Sequence, residues 1–327
     1  MTPPRRLSNV EFIALMAMMM ATIAFSVDAM LPAMPEIAAA LSPEAPNRAQ
    51  LIVTSFILGL GLGTLLVGPL SDAYGRKPVV MVGAVIYMLG ASIAWRAQSL
   101  EVLLAARLIQ GVGGSAARVV TIAIIRDLYT GRRMAQMMSF VLMIFALFPA
   151  IAPAMGAGII HLTDWRGIFL TFLAFSLISA TWLLLRQEET HAPAARRPFR
   201  ISVIRAGIAE IASNADAVRV ICALTLNFGM LFSILSSIQP IMDTTFARAD
   251  SFHWWFMFIA VIAASGSLLN ARIVIRLGMR RVAMAAFLLC MATTTPLLMF
   301  GAIGNWSHHW HSRCSWSGRP ACSGAWG

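Results

Sequence analysis

The chain has 327 residues, of which 59% are hydrophobic and only 12% charged, with a mean hydropathy of +0.76. Soluble domains carry about 25% charged residues, so a fully aqueous surface is excluded and lipid must be the solvent for much of the chain. A formal charge of +11 does not mark a nucleic-acid binder, because the basic residues punctuate apolar runs instead of forming one face; basic juxtamembrane loops account for the same number.

Arg5 and Arg6 precede an apolar run of about 20 residues with no A-x-A site after it. That run reads as a first membrane span and not as a cleavable signal. In chain order, nine segments are long and apolar enough to cross a bilayer as helices: near 12–33, 50–70, 78–95, 101–125, 136–160, 166–186, 217–239, 252–275 and 282–303. The polar stretch 187–216 separates the sixth from the seventh. It carries Glu188, Glu189, Arg196, Arg197, Arg200, Arg205, Pro193 and Pro198, and reads as a linker with an amphipathic piece near 200–212. Four cysteines form no CxxC; Cys222 and Cys290 fall inside apolar runs and read as small packing residues.

Charge bias sets the expected orientation. With the N-terminus in the cytoplasm, the inside loops hold 16 Arg and Lys, and the outside loops hold 4, namely Arg48, Arg96, Arg166 and Arg248. The positive-inside rule then places the N-terminus and the linker in the cytoplasm, and nine spans put the C-terminus outside. An internal repeat is also visible: the short basic loops SDAYGRKP and IRLGMRRV are built around Gly75 and Gly278, 203 residues apart, as in a parallel-repeat transporter. The expected organisation is a six-helix bundle (1–186), a cytoplasmic linker (187–216), a partial second bundle of three helices (217–304) and a tail (305–327).

Three motifs carry a resemblance. Residues 68–78, GPLSDAYGRKP, place Gly68 at a helix end, Gly75 in a tight turn and Pro78 in the next helix's first turn, with Asp72, Arg76 and Lys77 at the boundary. The segment is similar to motif A of the major facilitator superfamily, G-x-L-x-D-x-x-G-R-K. Span four contains RLIQGVGGSAA, whose Arg107, Gln110 and Gly111 resemble motif B, R-x-x-Q-G-x-G-A. Span five contains FPAIAPAMGAG, with Pro149, Pro153, Gly156 and Gly158, similar to the exporter-associated motif C; Ala152 and Ala157 replace two glycines of that pattern. VDAMLPAMPEIA, RDLY at 126–129 and GSLLNARIVIRLGMRR resemble the bicyclomycin/chloramphenicol-resistance branch of drug:proton antiporters. The resemblance covers residues 8 to 303. It implies an all-α transmembrane major facilitator fold, a six-helix N-terminal bundle plus an incomplete C-terminal one, in a bacterial cytoplasmic membrane. It also implies proton-coupled efflux of small hydrophobic molecules or drugs, with substrate, protons and the lipid bilayer as partners and no nucleic acid. In the resembled family the motif A aspartate and arginine form a charge network with the inner end of span four, where Asp127 sits.

Ionisable residues within spans are functional candidates by default. Asp28 is the only acidic residue well inside a span, and Arg107 lies at a similar depth about six residues from the end of span four. An Asp28–Arg107 pair, direct or through water, is therefore the expected proton and substrate site, with a static packing pair as its alternative. Arg118 follows Arg107 by about three turns, on nearly the same face and roughly 16 Å deeper. It either lines the cavity or snorkels. Asn227, Gln239 and Asn270 are polar residues of the second half for which interhelical hydrogen bonding is the commoner use.

No G-x-x-x-x-G-K-[ST], HExxH or GxSxG occurs, so ATP drive and hydrolytic chemistry are not expected, and no cofactor is implied. His308, His309, His311, Cys314 and Cys322 match no zinc spacing. The tail, rich in Trp, Ser and Gly, reads as a frameshifted end that replaces three native helices. A non-transporting remnant is the alternative to an exporter on that reading.

Overall fold

The computed structural model describes residues 7–196 and 198–244, together with 255, 258, 259, 262, 281, 282, 284–296 and 299. The helices in chain order are α1 (Asn9–Asp28), α2 (Met34–Leu41), α3 (Leu51–Tyr74), α4 (Arg76–Trp95), α5 (Leu100–Leu128), α6 (Gly131–Leu162), α7 (Trp165–Arg186), α8 (Ile201–Ser213) and α9 (Ala215–Thr244). Short 3₁₀ turns lie at Leu31–Ala33, Pro46–Gln50 and Pro193–Ala195. No strand occurs among the described residues. Seven helical runs there, from Asn9–Leu41 to Ala215–Ile234, are long and apolar enough to cross a membrane.

The first seven expected spans are thus recovered. Most of the eighth (252–275) and all of the tail (305–327) lie outside the described residues. The ninth is represented by an apolar helix, Met284–Pro296, in a second compact unit of the chain, Ala263–Gly327. Polar side chains start three helices: Ser8, Ser99 and Asp164 accept from the amides of Glu11 (3.2 Å), Val102 (3.4 Å) and Gly167 (3.1 Å).

Within the first span, placed near 12–33, α1 stops at Asp28 and the chain passes through a 3₁₀ turn into α2. Pro32 has no N–H to return to the Asp28 carbonyl, so the α-helical ladder cannot continue through that position. The last turn of α1 is consequently left with carbonyls free for outside donors.

Helix α5 is the spine of the first unit, with α3 and α4 lying along it. The approach is closer than any side chain allows: a Cβ at Gly111 would strike the Phe56 carbonyl on α3, and one at Gly113 would strike the Tyr87 backbone on α4. Small residues at membrane helix contacts permit such packing, which there stands in for the hydrophobic drive of water. One apolar cluster at this level includes Phe25, Met30, Phe56, Tyr87, Phe169 and Phe172. Phe25 and Phe172 meet edge to face at 5.3 Å. A second cluster, nearer the start of α1, gathers Phe12, Leu15, Met16, Val120, Ile124 and Leu183. Leu62, Leu65, Val82, Leu89, Met143 and Leu226 remain exposed, as suits helices whose outer faces contact lipid.

Candidate functional site

Arg107 is fully buried on α5. Its Nη2 donates to the Ser26 carbonyl at 2.8 Å, and its Nη1 donates to Gln110 Oε1 at 2.8 Å. The guanidinium lies 4.5 Å from the Phe56 ring centroid and 5.8 Å from that of Phe172. The Ser26 carbonyl belongs to the last turn of α1, where the helix end at Asp28 leaves it without a backbone donor among the described residues. A cation there also meets the negative end of the α1 dipole. The seat is extended by Ser26 Oγ, which donates to the Thr22 carbonyl (2.6 Å) and shares a hydrogen bond of 2.5 Å with the Tyr87 hydroxyl. Two nitrogens, Arg107 Nε and Gln110 Nε2, are buried without a hydrogen-bond partner.

The expected direct pair of Asp28 with Arg107 is not formed. Asp28 is 5% exposed at the end of α1, and no ion pair joins it to Arg107 among the described residues. The physical reason is the helix break: the α1 end itself offers Arg107 a carbonyl and a dipole, two residues before the carboxylate. The backbone acceptor at the end of α1 takes the Arg107 contact.

Gln110 and Gly111 of the same motif serve the same seat, Gln110 by accepting from Arg107 and Gly111 by letting the Phe56 segment approach. On α6, Pro149 and Pro153 lie within the helix. Gly156 is pressed against the Ala29 carbonyl just past the end of α1, whereas Gly158 faces open space. The exporter-like motif thus contributes one close contact to the broken end of α1.

The second constellation surrounds Arg76. Gly75 adopts φ +104°, a left-handed conformation that favours glycine, and turns the chain from α3 into α4. Arg76 Nη1 donates to Asp72 Oδ1 (2.5 Å) and Ser71 Oγ (2.7 Å). Its Nε and Nη2 donate to the two Asp127 oxygens at 2.9 and 3.4 Å. The predicted cluster of Asp72, Arg76 and Asp127 is assembled, and Pro78 falls in the first turn of α4. Lys77 contributes its backbone amide, and its side chain makes no hydrogen bond or ion pair among the described residues. A Cβ at Gly68 would meet nothing, so that motif glycine is not required by packing against the described residues.

Arg118 is exposed on α5. It lines a cleft of about 670 Å³ between α3 and α5 together with Thr64, Asp72, Arg76, Arg126 and Asp127.

Several participants were not singled out from the sequence. Ser26, Tyr87, Phe56 and Phe172 around Arg107 look like ordinary span residues, although Tyr87 is one of only 3 tyrosines, and a mid-span tyrosine hydroxyl needs a partner. Glu189 and Thr190 belong to the linker, yet Glu189 accepts from the amides of Arg76 (2.9 Å) and Lys77 (3.0 Å), and Thr190 Oγ1 donates to Asp127 (3.1 Å). Glu11 and Arg186 close the same end of the unit, with bonds of 2.7 and 2.8 Å between α1 and α7. Among the described residues no group of His, Cys, Asp and Glu could hold a metal ion.

The architecture is that of multi-pass membrane transporters. It aligns with a D-xylose–proton symporter (TM-score 0.61, 15% identity, 82% of this chain and 69% of the other) and with the human organic anion transporter MFSD10 (TM-score 0.58, 16% identity, 80% and 71%). Those identities speak to the fold alone. Residues 13–312 match the family model of the Major Facilitator Superfamily, and the chain belongs to that family, one of transporters and not of enzymes. It is 30% identical over 265 residues to a bicyclomycin resistance protein homolog of Haemophilus influenzae, covering 80% of this chain and 66% of the relative. It is 37% identical over 155 residues to a chloramphenicol resistance protein of Pseudomonas aeruginosa, covering 47% and 36%. The chain therefore spans between about a third and two thirds of the curated relatives it matches.

Proposed function

We propose that this chain exports small, largely apolar compounds of the drug type across the bacterial inner membrane in exchange for protons, with its N-terminus in the cytoplasm. The observation that carries the reading is the seat of Arg107. A fully buried cation is held by a helix-end carbonyl, an amide and an aromatic face, two residues along α1 from a buried carboxylate. Because Arg107 takes its hydrogen bonds from dipoles, Asp28 can gain or lose a proton without an ion pair having to break. A cationic or neutral substrate competes with the proton at that carboxylate. Asp72, Arg76 and Asp127 act as the cytoplasmic gate, and Arg118 lines the path between gate and seat. The names of the resistance-protein relatives support the substrate class, and the 16-to-4 charge bias supports the orientation.

The test is efflux of a fluorescent dye from cells expressing the full chain, with and without collapse of the proton gradient. Gradient-dependent efflux that Asp28→Asn abolishes, at unchanged membrane expression, supports the reading. Equal dye accumulation in both conditions refutes it.

A further inference from the structure

The linker after α7 is more than a tether between helices. Glu189 places one oxygen 2.9 Å from the Arg76 amide and the other 3.0 Å from the Lys77 amide, while the first also accepts from the His191 amide at 2.9 Å. Arg76 and Lys77 are the first two residues of α4, and the first four amides of any helix have no intrahelical partner. No side chain of the preceding turn caps this helix, since its N-cap residue is Gly75. A carboxylate from 113 residues away therefore fills the position that a local Ser or Asp fills elsewhere in the chain. One residue on, Thr190 Oγ1 donates to Asp127 Oδ2, the atom that also accepts from Arg76 Nε.

We infer that Glu189 and Thr190 form a strap that positions the Asp72–Arg76–Asp127 cluster, with Glu189 fixing the start of α4 and Thr190 the end of α5. The inference deepens the gate reading above, and rests on it for its functional meaning. It also supplies a second reason for glycine at position 75: a Cβ there would lie 2.8 Å from Glu189 Oε2 and 2.9 Å from Arg196 Nη2. The carboxylate is held by three amides, so it cannot give way without losing them. Any side chain at 75 evicts the strap as well as straining the turn.

Hydrogen–deuterium exchange on the purified full chain in nanodiscs tests the strap directly. Uncapped amides at helix positions one and two exchange at open-chain rates, whereas those of Arg76 and Lys77 are expected to be slowed at least tenfold. Glu189→Ala should return both to fast exchange while the rest of α3 and α5 stays protected. Glu188→Ala, one residue away and without a bond to α4, should change neither. Gly75→Ala should mimic Glu189→Ala, and the double variant should exchange no faster than either single one. Fast exchange of these amides in the parent chain, or unchanged protection in Glu189→Ala, overturns the strap. These readouts do not involve transport. A chain with a protected α4 start but no efflux would keep the strap and refute the exporter reading. In an active chain, Glu189→Ala should reduce dye efflux in the same direction as Arg76→Ala.

Discussion

Replacing Arg107 separates the cost of burying a charge from the value of its contacts. In Arg107→Met, the two hydrogen bonds to Gln110 and Ser26 are lost, about 1.5–3 kcal/mol each for bonds to a charged group, together with about 2 kcal/mol of cation–π attraction over Phe56. Against this, the desolvation of a cation with no carboxylate partner is relieved, several kcal/mol in effective terms. Methionine also packs flexibly against the Phe56, Phe169 and Phe172 rings. The balance is near zero, within about 2 kcal/mol. Arg107→Lys keeps the buried charge but reaches only one of the two acceptors, and its compact ammonium is more strongly hydrated than a guanidinium. It should therefore be less stable than Arg107→Met by roughly 2–3 kcal/mol, although it is the more conservative change. Titration of the purified variants with SDS in mixed micelles, followed by tryptophan fluorescence, measures the order. A lysine variant as stable as the parent, with the methionine variant far below both, would show that Arg107 is held by an anionic partner and refute the seat described above.

Other substitutions test the surroundings. Gly111→Val drives a branched side chain into the Phe56 backbone and should cost about 1–3 kcal/mol or more, lowering the thermal midpoint in detergent; Gly158→Ala, which faces open space, should leave it unchanged. Tyr87→Phe removes one partner of Ser26 Oγ while its bond to the Thr22 carbonyl survives, so the loss should be only about 1 kcal/mol in the SDS titration. Asp127→Asn should destabilise more than Asp72→Asn: the Asp127 side chain is 21% exposed and bonds two Arg76 nitrogens, whereas that of Asp72 is 51% exposed. The Asp72 effect should be under about 1 kcal/mol and fade at high salt, which thermal scans at two ionic strengths would detect.

The parts legible in the sequence were those set by length, periodic apolarity and local turns. Seven spans, the linker and the Gly75 turn each depend on residues close together in the chain, as does placing Arg76 beside Asp72 four positions earlier. Asp127 was reached through the resemblance, since nothing local ties it to Arg76. The direct form of the Asp28–Arg107 pair is absent among the described residues because depth along a helix was legible while the competition for the cation was not. The prolines beyond α1, Pro32 and Pro35, were visible; that the helix ends at Asp28 with the Ser26 carbonyl accepting from α5 required the packing of the two helices. Glu189 was invisible as a cap because a helix start is searched in the residue before it, and its partner lies in the linker after α7.

The two arginines of α5 show why membrane charges cannot be read alike. Arg107 and Arg118 share nearly one face by helical phase, and both appear as costly intruders in an apolar run. Arg107 is enclosed by three aromatic rings and a broken helix end, so its charge can act only on what enters the α1–α5 contact. Arg118 borders an open cleft whose far wall carries Asp72 and Arg76, and it makes no hydrogen bond among the described residues. Its charge is therefore available to whatever occupies that cleft. A buried arginine that donates through Nη1 and Nη2 to an amide oxygen and a helix-end carbonyl, with Nε left unpartnered, is fixed by its surroundings. An exposed one on a lined cleft suits discrimination among solutes by charge. The same residue type, eleven positions apart on one helix, is thus enclosed in one place and open to a cleft in the other, with the division made by α3 and the end of α1.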